Sequence, residues 1–376
     1  MLCRLLSKMD SASFENEVIS LTNLGGNAAK IRGAGVPVRA LGMKSSIPNP
    51  FPAARLFQWI RKSKPHVVQT WMYHANLLGG LAARLAGNIP VVWGIHHVDL
   101  SRQGNKLRTI WTAKGCARIS RWLPRCIVFC SQSALLSHIK LGYAANRMEV
   151  IPNGLDLHEF KADPSARLSV REELGIGAEV IVIGMAARFH PLKDHRNFIK
   201  AATRLRAMIP EVHFVLCGID VNYQNPELSK WIREAGVGGH CHLLGARQDM
   251  PRLFAAMDIA TSSSSSEAFP LAVGEAMACA VPCVVTDVGD CALIVGETGR
   301  VVASRDPDRL AEAWRELIEA GPAVRRHMGT TARRRVQRHF ALPAIAQRYE
   351  AIYAQLADKT QHSMPCRDLP HPLSRI

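Results

Sequence analysis

The sequence predicts an α/β protein of two domains, each built around a parallel β-sheet. Short apolar runs alternate with longer amphipathic patterns along almost the whole chain, which is typical of successive βαβ units. The length of 376 residues suits two domains, and a composition that is 48% apolar and 21% charged is that of a globular protein. The turn signal Pro152-Asn153-Gly154 separates two such series of runs. Each series predicts one Rossmann-like domain.

The first series predicts four parallel strands, at residues 66–71, 89–95, 125–130 and 148–151. The second predicts five strands, at residues 180–185, 212–217, 242–244, 258–260 and 281–286. Helical patterns fill the intervals, for example at 77–86, 196–208 and 310–318. We therefore expect a first domain at 1–155, a second at 156–340, a last amphipathic helix at 341–357 and a disordered tail at 358–376.

Several classes of protein are excluded by composition. Charged residues or Asn interrupt every apolar run before it reaches the roughly 20 residues of a membrane-spanning helix. Arg4 and Lys8 break the apolar pattern at the start, so it does not resemble a secretory signal. We interpret the ten cysteines as buried thiols in a reducing compartment, since none has disulfide-redox or zinc spacing. The run 240–242, His-Cys-His, is a weak metal candidate, because Cys241 points away from its neighbours in a strand.

The net charge of +16 is concentrated in the first half of the chain. Up to Leu155 there are 20 Lys and Arg against 5 Asp and Glu, whereas from Asp156 onward there are 27 against 26. This asymmetry indicates different partners for the two domains. Nucleic acid, an anionic membrane leaflet or a phosphorylated acceptor would suit the basic domain, and a merely solvated face is the alternative. Nucleic acid is the least favoured, because no known binding motif accompanies the charge.

Ligands of open parallel sheets bind beyond the carboxyl ends of the strands. After strand 258–260 come five serines, then Glu267, and then a helix that we expect to begin at Pro270 and to carry Glu275. The two carboxylates are suited to accept hydrogen bonds from sugar or ribose hydroxyls. Alternatively, Glu267 only stabilises the helix dipole and Glu275 is a solvated helix residue. The backbone N–H groups expected to be free for an anion are those of Phe269, Leu271 and Ala272.

Two further strands end in polar residues. Arg188 follows strand 180–185 and Lys193 lies five residues on, so the two cations could bind one pyrophosphate; a solvated turn is the alternative for Lys193. His96 and His97 follow strand 89–95. Adjacent residues point to opposite faces, so we expect at least one histidine to face the ligand cleft.

The stretch from Glu267 to Glu275, followed by Val281-Pro282, resembles the E-x7-E signature of retaining glycosyltransferases with the GT-B fold, family 4. The resemblance extends from about residue 60 to 356, and implies two Rossmann-like domains that face a central cleft. It implies that Glu275 binds the donor ribose, that Glu267 binds the transferred sugar, and that the amides of Phe269 to Ala272 hold the diphosphate. It also implies that the last helix returns to the first domain and packs on it.

The same resemblance assigns Arg188 and Lys193 to the leaving nucleoside diphosphate, and places His96, or alternatively His97, near the reacting sugar. We expect the base to contact the loop that begins at Gly245. The chain departs from the family at its start, where a strand and a Gly-Gly loop usually precede the first helix. This departure motivates an alternative function, a non-catalytic GT-B subunit that binds sugar nucleotide or a partner enzyme. Leu271 and Ala280 also replace residues common in the signature.

The sequence therefore predicts a retaining glycosyltransferase that moves a sugar from a nucleotide sugar to a saccharide or lipid-linked acceptor. Cell-surface polysaccharide or glycolipid biosynthesis is the expected setting. No metal or other cofactor is expected, because two cations and a helix N-terminus supply the positive charge. The basic first domain would bind the acceptor. We expect a cytoplasmic protein with peripheral contact to an anionic membrane at the inner face of the plasma membrane.

Overall fold

The computed structural model describes residues 1–43, 50–98, 100 and 106–358. The chain divides into two compact units: unit 1 comprises Met1–Gly154 and the chain from Leu342, and unit 2 comprises Leu155–Ala341. The boundary predicted between residues 155 and 156 differs from this division by one residue. Beyond Asp358, the tail predicted to be disordered lies outside the described residues.

The described residues of unit 1 form two parallel sheets, together with the helices given below. The smaller sheet pairs β1 (Val18–Ser20) with β2 (Val38–Ala40). The larger sheet has the order β3 (Val68–Trp71), β4 (Val91–Ile95), β5 (Cys126–Phe129) and β6 (Met148–Val150). The helices before residue 154 are α1 (Leu2–Leu6), α2 (Ala28–Gly33), α3 (Pro50–Ser63), α4 (Tyr73–Gly87), α5 (Leu107–Ile119) and α6 (Gln132–Lys140). Every residue of β4 and β5 is buried, which explains their continuous apolar runs.

Unit 2 contains one parallel sheet of six strands. Its strands in chain order are β7 (Val182–Ala186), β8 (His213–Cys217), β9 (Cys241–Leu243), β10 (Ile259–Ser262), β11 (Cys283–Thr286) and β12 (Arg300–Val302). Its helices are α7 (Pro164–Glu173), α8 (His195–Met208), α9 (Pro226–Glu234), α10 (Met250–Ala256), α11 (Leu271–Ala278), α12 (Cys291–Val295), α13 (Pro307–Glu319) and α14 (Gly321–His339). Two α/β units with parallel sheets confirm the predicted fold class.

The last helix, α15 (Leu342–Ala357), belongs to unit 1. Its Ile345, Tyr349 and Ile352 are buried in the same apolar cluster as Val92 of β4 and Val128 of β5. Arg348 adds an ion pair with the buried carboxylate of Glu149 in β6, at 2.6 Å. The chain thus leaves the first unit, builds the second, and returns to complete the core of the first.

The strand order of unit 2 identifies where a ligand would bind. Spatially the order is β12-β11-β10-β7-β8-β9, so the chain proceeds from β7 in one direction to β9 and then crosses to β10 on the other side. The switch point lies between β7 and β10, and the loops beyond the carboxyl ends of such neighbouring strands form a crevice. Among the described helices, none combines the length and the apolar character needed to cross a bilayer.

Candidate functional site

Two loops of unit 2 meet at this switch point. The loop after β10 hydrogen-bonds to the turn after β7, because the Ser265 N–H donates to the Leu192 carbonyl at 2.9 Å. The Ser263 hydroxyl adds bonds to the carbonyl oxygens of Lys193 and Asp194, at 3.1 and 3.0 Å. The serine run after β10 therefore fixes the position of the turn that carries Lys193.

The same contact brings together two of the predicted side chains. The Lys193 ammonium forms an ion pair with Oε1 of Glu267, and the Ser264 hydroxyl donates to the same oxygen at 2.7 Å. Their side chains are only 25% and 10% exposed, so the pair is screened less than a surface ion pair. Ser264 is not among the site residues predicted from the sequence. The only signal for it is its place in a run of five serines between a strand and a conspicuous carboxylate.

Short-range backbone contacts hold Lys193 in place. Residues 191–193 form one 3₁₀ turn, in which the Leu192 N–H donates to Nδ1 of His190 at 3.2 Å. Asp194 then adopts a left-handed conformation with φ of +47° and caps α8 through a bond from the Asn197 N–H. Lys193 is therefore the last residue of a closed turn and directly precedes the cap of α8, which limits the motion of its backbone.

A glycine from a third loop supports Glu267. Gly289, which follows β11, has a φ of +58°, and a Cβ atom there would lie 2.0 Å from the Glu267 carbonyl oxygen. The next residue, Asp290, donates its N–H to the Ala268 carbonyl at 3.1 Å. Since no side chain fits at position 289, this close approach requires glycine.

Helix α11 begins one residue later than predicted. Pro270 has an extended ψ of 96° and occupies the N-cap position, so Leu271 is the first helical residue and Ala272 the second. As at any helix N-terminus, their N–H groups have no intrahelical acceptor. Phe269 is buried and its ring packs on Phe340 at 5.5 Å, so only its backbone can face a ligand. Glu275 lies about one turn further along α11 and is 9% exposed, so it is not a solvated helix residue.

The remaining predicted donor residues lie at the same end of the sheet. Arg188 follows β7, is exposed, and forms no ion pair within the described ranges of the chain. Gly245 follows β9 and has a φ of +64°. Its N–H donates to the Val221 carbonyl and its own carbonyl accepts from the Gly218 N–H, each at 2.8 Å. The N–H of Gly245 is therefore occupied, and only the second lone pair of its carbonyl remains for a base.

The two histidines follow β4 in unit 1 and point in different directions. The His96 ring stacks on Trp71, with centroids 4.8 Å apart, whereas His97 meets the Tyr73 ring edge-on at 6.5 Å. Burial lowers the pKa of His96 to about 4, so its imidazole is neutral at pH 7. Its Nε2 atom and Oδ1 of Asn153 are both buried and make no well-aligned hydrogen bond among the described residues, although Asn153 lies close enough to His96 to oppose the fall of its pKa. Which of the two histidines serves the reacting sugar stays a prediction.

The other chemical candidates have structural explanations. His240 and His242 lie against His213 of β8, with ring centroids 4.7 and 5.2 Å away, while Cys241 is buried on the other face of β9. The described residues include no group of three or more His, Cys, Asp or Glu that could hold a metal ion. Eight of the nine described cysteines are buried. Burial raises the pKa of five of them to about 12, namely Cys116, Cys217, Cys241, Cys279 and Cys283.

Comparison with known proteins matches both units to one class of enzyme. Residues 167–335 match the family described as Glycosyl transferases group 1, and residues 2–159 match Glycosyltransferase Family 4. The chain is 29% identical over 266 residues to UDP-Gal:alpha-D-GlcNAc-diphosphoundecaprenol alpha-1,3-galactosyltransferase of Escherichia coli, covering 69% of this chain and 67% of that protein. It is 28% identical over 323 residues to D-inositol 3-phosphate glycosyltransferase of Pseudarthrobacter chlorophenolicus, covering 81% and 76%.

The fold is shared with solved structures. The crystal structure of Anabaena HepE in complex with UDP-glucose superposes with a TM-score of 0.81 at 22% identity, covering 94% of this chain and 95% of that one. Two units with parallel sheets are the architecture of a GT-B glycosyltransferase. This chain belongs to glycosyltransferase family 4.

Proposed function

We propose that this chain transfers a sugar from a nucleoside diphosphate sugar to a saccharide or lipid-linked acceptor, with retention at the anomeric carbon and without a metal ion. The observation that carries this proposal is the contact of Lys193 and Glu267 beside the N-terminus of α11. A diphosphate next to the Glu267 carboxylate would be repelled unless cations separated the charges. Lys193 is already at that place, and Arg188 follows the same strand.

The proposed roles follow from these positions. Arg188, Lys193 and the N–H groups of α11 bind the diphosphate and offset the charge that grows on it as it leaves. Glu267 accepts hydrogen bonds from the transferred sugar, and the nearly buried Glu275 accepts them from the ribose. His96 or His97 of unit 1 contacts the reacting sugar.

The proposed reaction takes place on one face of the sugar. The bond between the anomeric carbon and the diphosphate oxygen breaks, and both electrons leave with the nucleoside diphosphate. The acceptor hydroxyl oxygen forms the new bond on the same face, and its proton passes to an oxygen of the departing phosphate. The protein stabilises the separating charges through its two cations and the helix N-terminus.

The basic charge of the first 155 residues supports a phosphorylated acceptor. The relatives from Escherichia coli and Pseudarthrobacter chlorophenolicus are named for acceptors that carry a lipid diphosphate and a phosphate, respectively. Unit 1 would bind such an acceptor through Lys and Arg. A lipid-linked acceptor would place the protein in peripheral contact with an anionic membrane on the cytoplasmic side, in cell-surface polysaccharide or glycolipid synthesis.

A panel of nucleotide sugars tests the donor first. We expect one nucleotide sugar to raise the melting temperature of the full chain, because a ligand that binds only the folded state stabilises it. The Glu275→Gln variant should lose this stabilisation. NMR of the product should show the anomeric configuration of the donor, and activity should persist in EDTA. A chain that binds a donor but neither hydrolyses nor transfers it would be the non-catalytic subunit, and a chain stabilised by none would contradict the proposal.

A further inference from the structure

The surface around α5 in unit 1 combines exposed apolar rings with cations, and none of the proposed donor contacts uses it. On α5, the exposed residues Leu107, Trp111, Lys114 and Arg118 recur at intervals of four, three and four, so they share one side of the helix. The side chain of Trp111 is 68% exposed. Trp122, three residues beyond the end of α5, is 49% exposed. A cluster of exposed apolar rings, unlike a single exposed residue, is typical of an interaction surface.

A cationic hollow lies beside these tryptophans. Its volume is about 580 Å³, and it is lined by Lys114, Ala117, Arg118, Arg121, Leu141 and Gly142. Three of these six residues are cations, and none of the three forms an ion pair with any residue that the structure describes. The Lys114 ammonium lies 5.5 Å from the centroid of the Trp111 ring, which links the hollow to the apolar stripe.

The charge of this part of the chain has a single sign. Between Asp99 and Glu149 the sequence contains no Asp or Glu. The same stretch contains nine basic residues, which are Arg102, Lys106, Arg108, Lys114, Arg118, Arg121, Arg125, Lys140 and Arg147. No acidic residue within this stretch can therefore neutralise its basic residues. The surface is electrostatically complementary to an anionic partner.

The apolar residues distinguish between anionic partners. Leu107, Leu136 and Ile139 are 56%, 50% and 41% exposed, on α5 and α6. The free energy of aliphatic side chains falls when they enter the acyl region of a bilayer, and tryptophan rings favour the boundary between headgroups and acyl chains. A nucleic acid backbone offers them no such environment. The combination therefore favours a membrane surface.

We propose that Trp111, Trp122, Lys114, Arg118 and Arg121, which we call the basic tryptophan face, dock on an anionic phospholipid bilayer. The three cations bind lipid phosphates in and around the hollow, and the two rings enter the headgroup level. This inference deepens the proposed function, on which it rests for a lipid-linked acceptor, by naming the surface that meets the membrane.

Co-sedimentation of the full chain with lipid vesicles tests the proposal. At low salt we expect binding to vesicles of equal parts phosphatidylglycerol and phosphatidylcholine, and little binding to phosphatidylcholine alone. The triple variant Lys114→Gln, Arg118→Gln, Arg121→Gln should bind the anionic vesicles roughly 100-fold more weakly. A matched control removes the same charge from exposed positions of unit 2, as Lys200→Gln, Arg326→Gln and Arg338→Gln, and should bind within about twofold of the parent.

A second variant tests the rings separately from the charges. Anionic vesicles should shift the tryptophan emission of the parent to shorter wavelength, and the Trp111→Ala, Trp122→Ala variant should lose most of that shift and bind more weakly. Failure of the parent to bind anionic vesicles, or equal binding by the charge variant and its control, overturns the proposal. Thermal stabilisation by nucleoside diphosphates is measured on every variant. If nucleoside diphosphates do not stabilise the parent, the proposed function is contradicted. If they stabilise the parent but it does not bind anionic vesicles, only this inference is contradicted.

Discussion

The ammonium group of Lys193 contacts the carboxylate of Glu267, a residue 74 positions later in the chain. The Ser264 hydroxyl bonds the same carboxylate oxygen, so the contact joins the turn after β7 to the loop after β10. In the proposed reaction, this pairing would put a cation beside the departing diphosphate and would hold the carboxylate proposed to bind the sugar in one position before any ligand arrives.

The first prediction concerns this pair. Lys193→Met and Glu267→Gln should each lower kcat/KM by at least about 100-fold, because each removes one half of a coupled contact beside the reacting bond. The double variant should lose much less than the product of the two single losses. Steady-state kinetics of the four proteins measures the coupling. Lys200→Met, on the exposed side of α8, is the control and should retain activity. Losses that multiply fully would show that the two residues act independently.

The second prediction concerns Gly289. In Gly289→Ala, the new Cβ would meet the Glu267 carbonyl oxygen, so the loop must shift and activity should fall by more than about 10-fold. Gly175→Ala is the matched control, because Gly175 has a φ of +65° with no atom within 4 Å of the added carbon. It should lose about 1 kcal/mol of stability through backbone strain and keep its activity. Equal activity of the two variants would show that the contact at Gly289 does not position Glu267.

The third prediction concerns a buried guanidinium in unit 2. Arg171 is 2% exposed and its acceptors are Asp258 and the carbonyl oxygens of Ala256, Gly177, Ala178 and Val180. The Arg171→Met variant removes the guanidinium that donates to these carbonyl oxygens and pairs with the Asp258 charge. The free energy of unfolding should therefore fall by about 3–5 kcal/mol. Arg167 also pairs with Asp258, but the Arg167 side chain is 32% exposed. The Arg167→Met variant should therefore lower the free energy of unfolding by about 1 kcal/mol. Urea unfolding measures both, and a similar cost for the two would contradict the role of burial.

The fourth prediction concerns acid. Burial lowers the pKa of His138 and His195 from 6.5 to about 4, so between these pH values the unfolded chain binds protons that the folded chain does not. The free energy of unfolding should therefore fall as pH falls through this window, by up to about 1.4 kcal/mol per pH unit for each histidine. His138→Gln removes one titrating group and should flatten the dependence measured by urea unfolding. The His158→Gln variant, at an exposed histidine, is the control. If both variants changed the pH dependence equally, burial of His138 would not be its cause.

Much of the fold follows from the sequence because the central strands are buried on both faces. Strands such as β4 and β5 must be continuously apolar, and a continuous apolar run between helical patterns is a strong signal. Strands β1, β2 and β12 are not predicted from the sequence, since each has three residues and none is fully buried. Helix α14 is not predicted either, because its arginine-rich pattern shows no clear apolar stripe.

The sequence alone determined which residues are candidates at the site, because a charged residue in the loop that follows a buried strand is brought to the sheet edge by the strand itself. This holds for Glu267 after β10 and for Arg188 after β7. Only the tertiary structure decided that Lys193 meets Glu267, that Gly289 lies against the same residue, and that the N–H of Gly245 is occupied. Those contacts join segments that lie far apart in the chain. The distances between such segments are set by the packing of whole strands and loops, about which local residue spacing carries no information.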